Sequence, residues 1–315
     1  MPDLGFEVSG PGRAQAATSL FSRKLSTARR VLHDGGPRGI AAVLRLKAAS
    51  ILRSVGPRQL RAVFQVWCER EHWWVGMLVV CAGNVVRLDS CTFHVSHRAI
   101  GTASKSLFLL GGYERAEREI VKAYLNRSLP VVELGGSIGV VACVTNRLLR
   151  DPRKHVVVEA NPDLIGVMTA NRERNGCRFS VVNRALAYDS DSTTFYVDHR
   201  DFLASSVQVK TEKAIQVPVV SLEQILEDHG FRTCSLVCDI EGGEMELVRR
   251  EPQVLQQHVA MIIVEIHGWR VGWEQGAEMI RTLEDIGFRC LNEKDGTYVF
   301  RNERLRVDPE AAVAS

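Results

Sequence analysis

The sequence predicts an α/β fold, a mostly parallel Rossmann-like sheet that ends in an antiparallel hairpin and is preceded by a helical and β appendage. Three observations carry this. Residues 131–139 read Val-Val-Glu-Leu-Gly-Gly-Ser-Ile-Gly, a buried strand running into a glycine-rich turn. Residues 155–159 supply a second strand that ends in a carboxylate, Glu159, at the distance one βαβ unit requires. From residue 131 onward strand-length apolar runs alternate with helical periods, and the last two strands flank the turn Glu293-Lys294-Asp295-Gly296.

Taken in order, residues 1–35 lack periodicity and read as a mobile leader. Residues 36–104 form an N-terminal region. In it Ile40, Leu44, Ala48, Ile51 and Val55 mark one face of a helix over Gly39–Val55, with Arg38, Arg45 and Arg53 opposite, and a short helix over Arg58–Trp67 follows. Trp73–Val80, Asn84–Leu88 and Thr92–Val95 read as short strands of a small antiparallel sheet. The main domain is expected over 105–303. It begins with helix 113–125 and continues through strand 131–133, helix 138–149, strand 155–159, helix 162–175 and strand 178–183. Asn161-Pro162 makes a good N-cap and first turn for the helix it opens. Residues 184–221 are an insertion with strands at Thr193–Val197 and Ile215–Val220. Then come helix 221–229, strand Ser235–Asp239, helix 243–250, strand Met261–Glu265, helix 274–286 and the hairpin Phe288–Asn292 with Thr297–Arg301, before a tail at 304–315.

Net charge is +3 over 315 residues, but it is unevenly spread. Residues 1–70 hold twelve Lys/Arg against four Asp/Glu, net +8, and the remainder holds 28 against 33, net −5. A nucleic-acid footprint over the whole chain is therefore not indicated. The basic helix reads first as an appendage with solvated arginines, and second as a surface-seeking element resting on anionic lipid. The eight cysteines show no C-x-x-C pair and no zinc spacing. With no leader pattern at the N-terminus and no apolar run long enough to span a bilayer, a reduced cytoplasmic setting is expected, with peripheral contact at the inner membrane face as the variant.

A glycine-rich turn followed by an acid one strand later implies a nucleoside cofactor, with Glu159 accepting from ribose hydroxyls. The dinucleotide spacing fails, because Ser137 and Val140 stand where glycines would be needed. The spacing Gly135, Gly139, with Gly136 and Ser137 between, is closer to the acidic-x-G-x-G-x-G turn that binds S-adenosylmethionine. Glu133 would suit that cofactor's ammonium group. Asn183, at the end of strand 178–183, completes the expected cofactor-binding set.

A second group gathers at neighbouring strand ends, where ligands bind in open parallel sheets. Strand 235–239 runs into Asp239, Glu241 and Glu244, and strand 261–265 into Glu265 and His267. His267 can be a general base oriented by a carboxylate, or Asp239, Glu265 and His267 can hold a divalent cation. Glu244 reads as a first-turn residue favoured by the helix dipole.

The ordered set Gly111-Gly112-Tyr113-Glu114, E-L-G-G-S-I-G, V-V-E-A-N-P, V-P-V-V-S-L-E-Q-I-L, C-D-I-E-G-G-E and I-V-E-I-H resembles the FkbM family of S-adenosylmethionine-dependent methyltransferases over residues 105–301. The resemblance implies the class I methyltransferase fold and O-methylation of a hydroxyl on a sugar, glycan, glycolipid or natural product, with a small-molecule or glycan acceptor as partner. It places Gly135, Gly139 and Glu159 on the cofactor turn and ribose acid, Asp239, Glu241 and Gly242 on a D-x-E-G signature, and Glu265 and His267 on its E-x-H end. The chain departs from the family's Asp-x-Gly-Ala-Asn-x-Gly at Glu133, Gly136 and Ser137, and residues 1–70 lie outside the resemblance. The alternatives are an N- or C-methyltransferase on the same scaffold, a non-catalytic partner protein working through its basic helices, or an NAD-dependent dehydrogenase. The first lacks its Asn/Asp-Pro-Pro-Tyr tetrapeptide here.

Overall fold

The computed structural model describes residues 67–68, 70–98, 100–197, 213–267 and 273–305. The chain divides into residues 1–67 and 68–315, and the fold described is that of the second unit. The expected leader, the helix over 39–55, the helix over 58–67 apart from Trp67 and most of the C-terminal tail lie outside the described residues.

The first element corrects the sequence reading. Trp73–Cys81 is a helix, α1, where a strand was expected. Nine apolar residues without a polar break cannot be assigned by periodicity alone. Close packing selects the helix: Val75, Gly76 and Val79 are its buried face, and a Cβ on Gly76 would fall 1.5 Å from the Thr102 carbonyl oxygen. Among the described residues the appendage sheet is therefore the hairpin of β1 (Val85–Leu88) and β2 (Cys91–His94). Helix α2 (Lys105–Leu110), which no sequence pattern announced, leads through the turn at Gly111 into α3 (Arg115–Tyr124).

From here the expected alternation holds. β3 (Val131–Leu134), α4 (Val140–Leu148), β4 (His155–Val158), α5 (Pro162–Arg174) and β5 (Ser180–Val182) build one half of the sheet. The insertion contributes β6 (Ala185–Leu186), β7 (Ser192–Val197) and β8 (Lys213–Val220), a separate three-stranded sheet in the order β6-β8-β7. The second half consists of α6 (Leu222–His229), β9 (Cys234–Cys238), α7 (Glu244–Arg250), α8 (Pro252–His258) and β10 (Val259–Glu265). α9 (Trp273–Asp285) and the hairpin β11 (Phe288–Lys294) with β12 (Thr297–Asn302) complete it.

The main sheet has seven strands in the order β11-β12-β10-β9-β3-β4-β5. β3, β4, β5, β9 and β10 are parallel, and β12 inserts antiparallel between β10 and β11. The predicted terminal hairpin is thus present.

Side-chain alternation splits the core. Val132, Leu134, Val156, Val158, Leu236 and Ile262 face a cluster with residues of α6, α7, α8 and α9. Val131, Val237, Ile263 and Val299 face Ile120 and Val121 of α3 and Val141 of α4, while Val157 meets α4, α5 and the β1–β2 hairpin. Because the chain leaves β3 toward β4 on one side and returns to β9 on the other, a crevice opens beyond the carboxyl end of β3. No helix among the described residues is long and apolar enough to cross a membrane.

Candidate active site

A cleft with about 770 Å³ of free space, solvent mouth included, occupies that crevice. Leu134, Gly135 and Ser137 after β3, Val158, Glu159 and Asn161 after β4, and Asp239, Glu241 and Gly243 after β9 line it, with Glu114 and Phe195 on the walls.

The turn after β3 is built by close approach. Gly135 has φ +92, and a Cβ there would fall 1.6 Å from the Asp239 carbonyl oxygen, so the turn lies directly on the end of β9. A Cβ on Gly136 would meet Val157 and Met168 at 2.4 and 2.7 Å, which seats the turn on β4 and α5. Ser137 is itself left-handed (φ 47), a conformation that costs a non-glycine residue about 1 kcal/mol. The conformation aims its backbone N–H at the Glu159 Oε2, 2.7 Å away.

The other Glu159 oxygen, Oε1, accepts from the Asn161 N–H at 2.6 Å. Each carboxylate oxygen is thus oriented by one backbone donor and keeps a second lone pair for a ligand. Burial pushes the Glu159 carboxyl up to about 7, against the pull of these two bonds. Asn161 also caps α5, accepting from Asp163 N at 3.1 Å. Asn183 does not line the cleft. Its side-chain amide donates to the carbonyls of Glu159 and Ala160 at 2.8 and 3.2 Å, fixing the end of β4.

Glu133 is placed differently from expectation. As the third residue of a four-residue strand it still lies within the sheet, facing the α3–α4 side, with its carboxylate 3.3 Å from His155 Nε2. It is 2% exposed and is not among the residues lining the cleft.

The second constellation does converge. His267 Nε2 lies 3.5 Å from Asp239 Oδ1, 3.4 Å from Glu241 Oε2 and 3.9 Å from Glu265 Oε1. Its Nδ1 meets Glu244 Oε1 at 3.3 Å, and the same oxygen accepts from Ile240 N. Glu244 is therefore more than a first-turn residue: it holds the imidazole. Burial opposes charging His267, but the bond to Glu244 and the charges of Asp239 and Glu241 win and raise it to about 9. The raised proton affinity favours the charged imidazolium, and the residue expected as general base is set back from the cleft wall, behind Asp239 and Glu241, which face it. Asp239 is held well above the usual carboxylate range, first by burial and then by Glu265. Asp239, Glu241 and His267 also bring donor atoms within 4.8 Å of one another, as do Glu114, Glu117 and Asp239, whereas Glu265 joins neither group.

Sequence reasoning gave Glu114 no role, although the motif that contains it had been noted. It heads α3 in a left-handed conformation (φ 46) without capping it, and its carboxylate approaches Glu117 and Asp239.

A sequence model of the methyltransferase FkbM domain matches residues 133–290. No curated protein matches the chain at the level of sequence. Similar solved structures include the fibrillarin pre-rRNA processing protein of Methanococcus jannaschii, at 12% identity over 56% of this chain and 67% of that one, with TM-score 0.36. A protein of the NADB-Rossmann superfamily from Streptococcus agalactiae matches at 10% identity over 61% and 70%, with TM-score 0.37. Precorrin-6y C5,15-methyltransferase of Geobacter metallireducens matches at 13% identity over 58% and 86%, with TM-score 0.34.

Proposed function

Because the chain belongs to the FkbM methyltransferase family, we propose that it transfers a methyl group from S-adenosylmethionine to a hydroxyl of a neutral polyol such as a sugar, a glycan or a hydroxylated natural product. The residues present fit that cofactor. Glu159 offers two oriented acceptor oxygens for a ribose diol, and Gly135, where a side chain would collide with the Asp239 carbonyl, lets the turn sit against the end of β9 at the cleft. When bound, the cofactor supplies an electrophilic methyl on a sulfonium.

The observation that carries the oxygen reading is Asp239, a cleft-facing carboxylate with raised proton affinity, backed at 3.5 Å by a charged His267. An attacking hydroxyl must lose its proton, and a carboxylate with raised proton affinity accepts it more readily than an ordinary one. Asp239 takes that proton in this reading, with Glu241 beside it. His267 is a positioning residue, tying Asp239, Glu241 and Glu244 together as their shared cation. The acceptor class is inferred from the rest of the lining: Asp239 and Glu241 face the cleft beyond the ribose acid Glu159, which disfavours a phosphorylated or carboxylated acceptor.

The test is incubation with methyl-labelled S-adenosylmethionine and a panel of neutral glycans, polyols, amines and carboxylates. Label should enter the polyols and survive mild base, as an ether does. Label entering only amines, or released by base as methanol, would overturn the proposal.

A further inference from the structure

The sequence assigns the cofactor's ammonium group to Glu133, but the sheet turns that side chain away from the cleft. We propose instead that Glu114 receives the α-ammonium of the cofactor's methionine portion. This rests on the cofactor reading of the cleft.

Several contacts hold Glu114 where a ligand would find it. The Tyr113 ring stacks on Phe108 at 4.1 Å between centroids, and its hydroxyl lies 3.2 Å from Ser137 Oγ, so the Glu114 turn is attached to the glycine turn. Arg118 donates to the carbonyls of Tyr113 and Gly111 at 2.9 and 2.8 Å and pairs with Asp89, bracing the turn from behind. With its backbone fixed in this way, Glu114 lines the cleft together with Ser137 and Asp239, and makes no cap bond to α3.

Acids crowd it more than cations do: Arg118 pulls on its charge, but that guanidinium is already engaged by Asp89 and two carbonyls. Oxygens of Glu114, Glu117 and Asp239 lie within 4.8 Å of one another, and no ion pair to Glu114 or Glu117 occurs among the described residues. Burial pushes the Glu114 carboxyl up to about 8, opposed by its bond from Tyr113. A partly buried acid facing a ligand cleft is stabilised when a positive group meets it. Glu159 fixes the ribose at the end of β4, and Glu114 stands across the turn beside β9. A ligand with a ribose at one end and an ammonium at the other matches both.

The experiment is calorimetry with two ligands that share the nucleoside thioether. S-adenosylhomocysteine carries the ammonium, whereas 5′-methylthioadenosine lacks the amino-acid portion. Glu114→Gln should weaken S-adenosylhomocysteine at least ~10-fold, the scale of one charge-assisted hydrogen bond, and leave methylthioadenosine within about twofold. Retained methylthioadenosine binding also shows that the variant is folded. Glu117→Gln, which replaces a neighbouring carboxyl that does not line the cleft, should leave both ligands unchanged. The proposal is overturned if Glu114→Gln weakens both ligands equally, if it weakens neither, or if Glu117→Gln matches its effect. Wild-type protein that binds neither ligand would overturn the cofactor reading itself, a distinct result.

Discussion

Gly135→Ala is expected to abolish S-adenosylhomocysteine binding and to lower the melting temperature by roughly 6–12 °C, from a loss of at least ~3 kcal/mol in a domain of this size. Two effects add. The residue has φ +92, where an L side chain is strained, and the new methyl would overlap the Asp239 carbonyl oxygen at 1.6 Å. That oxygen belongs to backbone at the end of β9, so no rotamer change relieves the clash. Either β3 and β9 separate or the turn lifts. A lifted turn carries Ser137 N–H away from Glu159 and breaks the cofactor cradle. Thermal melts and calorimetry read the two effects separately. A variant that melts and binds like wild type would show that the turn is not seated on β9.

Asp239→Asn should lower turnover at least ~100-fold, the usual share of a positioned proton acceptor, while S-adenosylhomocysteine still binds. Its stability should move the other way. The folded-state pKa of Asp239 is raised above its ordinary value of 3.8, so between the two pKa values the folded protein binds more proton at this site than the unfolded chain does. Wild-type stability therefore falls as pH rises from 3.8 through the folded pKa, and the amide removes that loss. The variant should melt no lower than wild type at pH 8, and its relative advantage should shrink toward pH 4. His267→Gln is the contrast. His267 is raised to about 9, so its contribution is complete below 6.5 and disappears as pH climbs through 9. Full activity in Asp239→Asn would remove it from the chemistry.

The strand and helix alternation from β3 to β12 was legible because buried strands and amphipathic helices leave distinct periods. Glu159 was legible because a carboxylate at a strand end one βαβ unit after a glycine turn has few other uses. Glu133 lies one step of the pleat from the cleft: Leu134, not Glu133, lines it, and only the folded sheet shows which face opens there. Trp73–Cys81 reads equally as strand or helix until Gly76 meets Thr102, a contact between separate elements. The role of His267 was hidden for a similar reason. The chain shows a histidine near acids, but only the folded structure shows four carboxylates around one ring, which favours its charged form.

The central claim is that this cleft binds S-adenosylmethionine through Glu159. Isothermal titration of S-adenosylhomocysteine into wild-type protein and Glu159→Ala, with NADH as comparison, tests it most directly. The structure predicts micromolar binding of S-adenosylhomocysteine, weakened at least ~100-fold in the variant through loss of two charge-assisted acceptors, and no comparable binding of NADH. Equal affinity in the two proteins, or preference for NADH, would contradict it.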